Sequence, residues 1–130
     1  MNRKNIVSRR SFIFCPGLRP DMFPKAVNSG TDIVCIELED GIAPKDKDQA
    51  RKLTLDLFTT ALDGQGAELI VRINSVRDEF GLADIQAILK TSSPPPAIML
   101  PKVKTPDEVT WVDELFSERG HDTRIHVIIE

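Results

Sequence analysis

Six side chains in this sequence are placed to do chemistry together: Glu37, Glu39, Asp40, Arg72, Lys102 and Glu130. They fall at the carboxyl ends of short apolar, β-branched runs spanning 33–38, 69–73, 97–100 and 125–129; a further run at 12–15 precedes them. Clustered carboxylates with no cysteine among them, and no histidine at ligand spacing, suit a hard cation such as Mg²⁺. An arginine beside them can hold a carboxylate substrate with two parallel hydrogen bonds. Metal and arginine together read as polarisation of an oxo-acid, with charge stabilised as an enolate develops. No Ser/His/Asp or Cys/His arrangement, P-loop or dinucleotide fingerprint competes with this reading.

The runs are read as five strands from their β-branched content and turn-rich borders. Four helices are expected between them. One covers Asp21–Asn28. A second covers Asp46–Thr60, with Leu53, Leu57 and Phe58 on one stripe. A third covers Phe80–Leu89, where Leu82, Ile85, Ile88 and Leu89 recur at helical spacing. The fourth opens on Thr105 and Pro106 and ends at Gly120. The order βαβαβαβαβ calls for a parallel sheet with right-handed crossovers. Two architectures fit: a five-stranded doubly wound sheet, or the first half of a TIM (β/α)₈ barrel, whose whole needs about 200 residues or more. Glu130 follows the fifth run directly, without the helix a doubly wound sheet would add. The expectation is therefore a single partial domain over 1–130, half a barrel, inactive alone. Alternation along the strands puts Val34, Ile36 and Leu38 on one face, and Cys35, Glu37 and Glu39 on the other.

With 17 Lys+Arg against 20 Asp+Glu and 41% apolar residues, the 130-residue chain has an ordinary globular composition. Its net charge of −3 gives no basic surface for nucleic acid, and no apolar run approaches the ~18 residues of a membrane span. Arg9-Arg10 resembles a twin-arginine export signal, but the apolar run after it stops at Cys15, so the segment is read as a strand entering a turn. Cys15 and Cys35 are expected as buried thiols in a reducing cytoplasm. His126 is expected as a hydrogen-bonded interior residue, His121 as an exposed turn residue, Trp111 as a packing residue, and Pro94–Pro96 as a rigid loop. The charges of Lys45–Lys52 are expected on a solvated helix face.

The segment Arg10-Ser11-Phe12-Ile13-Phe14-Cys15-Pro16-Gly17-Leu18-Arg19-Pro20-Asp21-Met22-Phe23 resembles the opening of the citrate lyase β-subunit family, the HpcH/HpaI aldolases, whose relatives include malyl-CoA lyase. Glu37-Leu38-Glu39-Asp40-Gly41-Ile42-Ala43-Pro44-Lys45, Val71-Arg72-Ile73-Asn74, Met99-Leu100-Pro101-Lys102-Val103 and Ile128-Ile129-Glu130 match in the same order. The resemblance implies a Mg²⁺-binding TIM-barrel lyase that cleaves a citryl or malyl thioester to a 2-oxo acid and an acetyl thioester, the carrier being coenzyme A or an acyl carrier protein. It implies that Arg72 binds the oxo-acid and that Glu130 is a metal ligand. Glu39 and Asp40 would hold the metal's waters or orient Arg72. Lys102 would stand beside the mouth, and Arg19 would meet the carrier's phosphates or form a structural pair. It also implies a cytoplasmic homo-oligomer and a second metal ligand, an Asp, beyond residue 130. Relatives usually carry Asp where this chain has Glu37. A metal aldolase on free 2-oxo acids and a non-catalytic five-stranded binding module are the alternatives.

Overall fold

The computed structural model describes residues 7–60 and 62–130. Strands β1 (Phe12–Pro16), β2 (Ile33–Glu37), β3 (Glu68–Arg72), β4 (Ala97–Leu100) and β5 (Arg124–Val127) alternate with helices α1 (Phe23–Val27), α2 (Lys47–Thr59), α3 (Glu79–Lys90) and α4 (Pro106–Glu118). Every expected element is present, with its ends moved by a residue or two. The first helix is shorter than expected because a 3₁₀ turn, Pro20–Met22, takes up its start. The fifth strand ends at Val127 rather than Ile129. Its partner β4 stops at Leu100, so the N–H of Ile128, bonded to the Leu100 carbonyl at 3.1 Å, finds the last acceptor.

All strand pairs are parallel, and their spatial order is β1-β2-β3-β4-β5. This order separates the two architectures. A doubly wound sheet reverses its strand order at a switch point. Here each right-handed crossover steps the same way, which keeps the helices on one face, as in a (β/α)₈ barrel. The covered face buries Val34, Ile36, Leu38, Val71, Ile73, Ile98 and Leu100 against Phe23, Ala50, Ile85, Ile88, Val112 and Phe116. On the opposite face Ile33, Cys35, Ile70 and Ala97 are buried with Met99 packed beside them, and no helix residue takes part. A buried face with no helix over it is what the inner side of a barrel sheet presents. Phe12 and Phe14 stack edge to face at 4.9 Å on this concave side and remain 40% and 46% exposed.

Two expected apolar stripes are placed differently. On α2 the inward residues are Lys47, Ala50 and Thr54, while Leu57 and Phe58 pack at the margin and Leu53 is only half-buried. The cause is a close approach. Gly17 donates its N–H to the Glu37 carbonyl at 2.9 Å, and a Cβ there would lie 2.7 Å from Leu38 Cδ2 and 2.8 Å from Thr54 Oγ1. Leucines do not fit against that turn. On α3, Ile85 and Ile88 are buried but Leu82 is 51% exposed, in a groove it shares with Trp111 and Leu115. Helix α4 ends as expected at Gly120, whose φ is +76°. The N–H groups of Gly120 and His121 bond the carbonyls of Ser117 and Phe116, a Schellman closure. Among the described residues no helix is long and apolar enough to cross a membrane. Cys15 and Cys35 are both free and buried.

Candidate active site

The parallel register sets Glu37 directly beside Arg72. Arg72 Nε donates to Glu37 Oε1 at 2.9 Å, and Nη2 donates to Oε2. The guanidinium lies 4.6 Å from the centre of the Phe14 ring, a cation–π contact that reaches across β2 to β1. The Glu37 oxygens also accept the N–H groups of Glu39 at 2.8 Å and Gly41 at 3.3 Å. Burial pushes the Glu37 carboxyl up, but Arg72 and these amides outweigh it and hold it below the ordinary glutamate value. Glu37 in turn raises Arg72. The longer side chain at position 37 thus reaches Arg72 bidentately while filling its remaining acceptor sites from the loop that follows.

That loop carries the next two carboxylates. Lys102, just past β4, donates to Glu39 Oε2 at 2.5 Å and to Asp40 Oδ1 at 3.0 Å. These bonds raise Lys102 and, with a further contribution from Glu39, lower Asp40. Lys102 is held at φ +52°, a left-handed conformation costing a non-glycine residue about 1–2 kcal/mol. Glu39 is 4% exposed. Its second oxygen, Oε1, is buried without a hydrogen-bond partner and stands 3.7 Å from Arg72 Nε, too far to bond. An orphaned carboxylate oxygen costs about 1–3 kcal/mol, which a ligand at this mouth would return.

The donors here are all oxygen, with the orphaned Glu39 atom and exposed Asp40 foremost. Among the described residues no three His, Cys, Asp or Glu side chains converge into a closed metal cluster. The oxygen-only donor set is of the chemistry Mg²⁺ takes, since that ion keeps several waters and is held by one or two carboxylates plus substrate.

Behind the mouth lies a buried polar chain that the sequence reading missed. Lys47, expected on a solvated face, is 9% exposed. Its ammonium donates to the carbonyls of Leu38 at 3.1 Å and Glu39 at 2.8 Å and to Asn74 Oδ1 at 2.5 Å. Asn74 donates twice, at 2.8 Å each, to Asp84 Oδ2, and Arg51 Nε donates to Asp84 Oδ1 at 2.7 Å. Burial raises the Asp84 carboxyl in spite of these donors. One signal was available: Gly81, Asp84, Ile85 and Ile88 share a helical stripe, so Asp84 is an acid set in an apolar row.

The remaining candidates lie apart from the network. Arg19 forms an exposed bidentate pair with Asp21. Glu130 is exposed beyond β5, and no hydrogen bond among the described residues joins it to Glu39 or Asp40. His126 bonds Glu68 at 3.2 Å, the interior role expected of it. His121 is half-buried rather than exposed, since Gly120 turns its ring to within 3.0 Å of the Ile88 carbonyl at the end of α3.

Comparison with known proteins agrees with this geometry. The HpcH/HpaI aldolase/citrate lyase family profile matches residues 10–128. The citramalyl-CoA lyase of Rattus norvegicus is 32% identical over 117 residues, 90% of this chain and 34% of the relative. The L-malyl-CoA/β-methylmalyl-CoA lyase of Rhodobacter capsulatus is 36% identical over 128 residues, 93% of this chain and 40% of the relative. RipC from Yersinia pestis superposes with a TM-score of 0.74 at 32% identity, over 95% of this chain and 47% of that one. The citrate lyase β subunit of M. tuberculosis, complexed with oxaloacetate and magnesium, gives 0.62 at 33% identity, over 80% of this chain and 44% of that one. The chain spans from about a third to two-fifths of the curated relatives' length, and its sequential parallel sheet is part of their barrel. Family profile and relatives agree: the chain belongs to the HpcH/HpaI aldolase/citrate lyase family.

Proposed function

We propose that the protein acts as a Mg²⁺-dependent carbon–carbon lyase of the citrate lyase β-subunit type, cleaving a citryl or malyl thioester to a 2-oxo acid and an acetyl thioester. The observation that carries this reading is the pairing of an oriented guanidinium with an orphaned buried carboxylate oxygen at the strands' carboxyl ends. In this reading Arg72, fixed along one edge by Glu37, offers its remaining N–H groups to the oxo-acid carboxylate and oxygen. It stabilises the alkoxide formed when the substrate hydroxyl gives up its proton. That alkoxide collapses to the oxo-acid carbonyl as the carbon–carbon bond breaks, and the bonding pair leaves on the acetyl thioester as its enolate, which then takes a proton. Glu39 and Asp40 hold the waters of a bound cation, Glu130 ligates it, and Lys102 keeps the paired carboxylates from repelling one another. Mg²⁺, when bound, supplies Lewis-acid polarisation of the oxo-acid. Arg19, at the rim after β1, meets the phosphates of the thioester carrier. Relatives named for citramalyl-CoA and malyl-CoA lysis, and a structural neighbour holding oxaloacetate and magnesium, support the substrate class.

The test is release of a 2-oxo acid from malyl-CoA and citryl-CoA by the natively expressed protein, with Mg²⁺ and with a chelator. Mg²⁺-dependent release that disappears in Arg72→Ala is expected. Turnover of free hydroxy-oxo acids but not thioesters would move the assignment to an aldolase. No Mg²⁺-dependent release from either, with Arg72→Ala indistinguishable from wild type, would end the proposal.

A further inference from the structure

Lys47 is an unusual residue to bury. The residue is 9% exposed, yet its ammonium bonds run only to neutral oxygens: two main-chain carbonyls and the Asn74 amide. The Phe80 ring, 5.6 Å away, is a further contact. A buried cation without a carboxylate partner contributes little to folding, because its desolvation is not offset by an opposite charge. Its geometry points elsewhere. The two carbonyls belong to Leu38 and Glu39, the backbone that carries the Glu39 and Asp40 carboxylates. Asn74 lies two residues beyond Arg72, and its N–H and Nδ2 are both anchored on Asp84, itself held by Arg51. One ammonium therefore joins the β2–α2 loop to the β3–α3 loop from the side away from the mouth.

We infer that Lys47 is a positioning residue: through Asn74 and Asp84 it sets the separation between the Glu39 carboxylate and the Arg72 guanidinium, and so the fit of a Mg²⁺–2-oxo-acid pair. The register of β2 and β3 fixes Glu37 against Arg72 by itself, but Glu39 lies past the last paired residue of β2. The Leu38 N–H still reaches the Arg72 carbonyl at 3.0 Å and the Glu39 N–H bonds Glu37 Oε1 at 2.8 Å, which leaves the carbonyls and the Glu39 side chain to be placed by residues outside β2 and β3. Lys102 restrains the Glu39 side chain from the solvent side, and Lys47 restrains its main chain from the buried side. Without Lys47 the Leu38 and Glu39 carbonyls lose their charged donor, Glu39 keeping only the Ile42 N–H on that side, and the loop loses its tie to Asn74, so the Glu39–Arg72 separation loosens.

The inference rests on the lyase reading, and the experiment separates the two. Oxaloacetate is titrated calorimetrically into the natively expressed protein at saturating Mg²⁺, which reports Kd and the competent fraction independently. Lys47→Met is expected to weaken binding at least tenfold with the competent fraction unchanged. Asn74→Ala is expected to weaken it several-fold, and Lys47→Arg to recover most of the affinity. A merely structural lysine would lower the competent fraction and leave Kd alone, and that result overturns the inference. If Lys47→Met does not fold, Asn74→Ala decides by the same criterion. Wild-type protein that binds no oxaloacetate with Mg²⁺ removes the lyase reading and this inference with it. Normal binding in wild type and in both variants removes the inference only.

Discussion

The two ends of the sheet carry charge networks of opposite design. At the amino end, basic side chains converge on one carboxylate: Glu68, its side chain 8% exposed, takes Arg9 at 2.7 Å, His126 at 3.2 Å and Arg124 at 3.9 Å. Beside it Arg10 pairs with Asp32. At the carboxyl end the balance reverses. Glu37, Glu39 and Asp40 share Arg72 and Lys102, and one buried oxygen is left over. The first arrangement is closed and gains nothing from a ligand. The second stays incomplete until something positive, or a water held by it, arrives. Parallel barrels keep stability at the amino end and chemistry at the carboxyl end, and here the division shows in the satisfaction of individual oxygens.

The largest separation between the two ends is expected from deleting their central groups. Arg72→Ala should abolish binding of a Mg²⁺–oxaloacetate pair, weakening it by a hundredfold or more. It should also cost about 2–4 kcal/mol of stability, because Glu37 stays buried with only amide donors. Glu68→Ala should cost about 1–2 kcal/mol, reduced because Arg9 and Arg124 are free to turn to water, and should leave the affinity intact. Calorimetric titration and thermal melts of both variants make the comparison. Equal losses of affinity would erase the distinction between the ends.

Acid should act more gently, and the sign is fixed by the pKa shifts. Glu108, in the first turn of α4, is opposed by burial but accepts the N–H groups of Thr105 and Lys104 and the Arg77 guanidinium. Its carboxyl is held down to about 2 from an ordinary 4.5. A carboxyl depressed in the folded state adds stability above its unfolded pKa and loses it as pH falls toward the folded one. Stability should therefore decline between pH 4.5 and 2, and Glu108→Gln should flatten that limb by about 1–2 kcal/mol. Glu68 is also depressed, chiefly by Arg9, so Glu68→Gln should flatten it less. Denaturant midpoints measured across this pH range decide the order.

Much of this was legible because strands and charges obey local rules. Alternation along Ile33–Glu37 put Val34 and Ile36 toward the helices and Cys35 and Glu37 toward the concave face, and carboxyl-end placement marked Arg72, Glu39, Asp40 and Lys102. The Thr105–Glu108 start and the Gly120 stop of α4 were equally plain. What stayed hidden depends on tertiary approach. Lys47 looks like any helix-surface lysine until Gly17 brings the sheet close enough to require Ala50 and Thr54 inside. Leu82 matches its stripe yet faces solvent, because Asp84 takes the inward place and bonds Asn74. Sequence set Glu39 or Asp40 beside Arg72; Glu39 does stand 3.7 Å from its Nε, but the β2–β3 register gives the bidentate hydrogen bonds to Glu37.

A thiol gives a smaller, yes-or-no reading of the interior. Burial pushes Cys35 up to about 12, with Glu37 adding to it, so native protein at pH 8 should leave this thiol unreacted with a disulfide reagent until denaturant is added. Prompt labelling would mean that the concave face opens without global unfolding.

The smallest effects belong to two Arg–Asp pairs with exposed arginines, and they sharpen the comparison most finely. Arg19–Asp21 sits after β1 near the carboxyl-end rim, and Arg10–Asp32 precedes β1 at the other end. Both arginines are raised, chiefly by their partner's hydrogen bonds. Both arginines are so exposed, at 81% for the Arg10 side chain and 59% for Arg19, that neither substitution to alanine should shift the melting temperature measurably. Ligand affinity is where they should part. Arg10→Ala should leave thioester binding unchanged at any salt concentration. Arg19→Ala should weaken malyl-CoA binding a few-fold in low salt, and the difference should shrink as added salt screens the phosphates from the guanidinium. Since Asp21 competes for Arg19, Asp21→Asn should tighten binding by a similar small factor with the same salt dependence. Equal behaviour of Arg19→Ala and Arg10→Ala would reduce the first pair to a structural contact of the loop and confine ligand recognition to Arg72 and the carboxylates beside it.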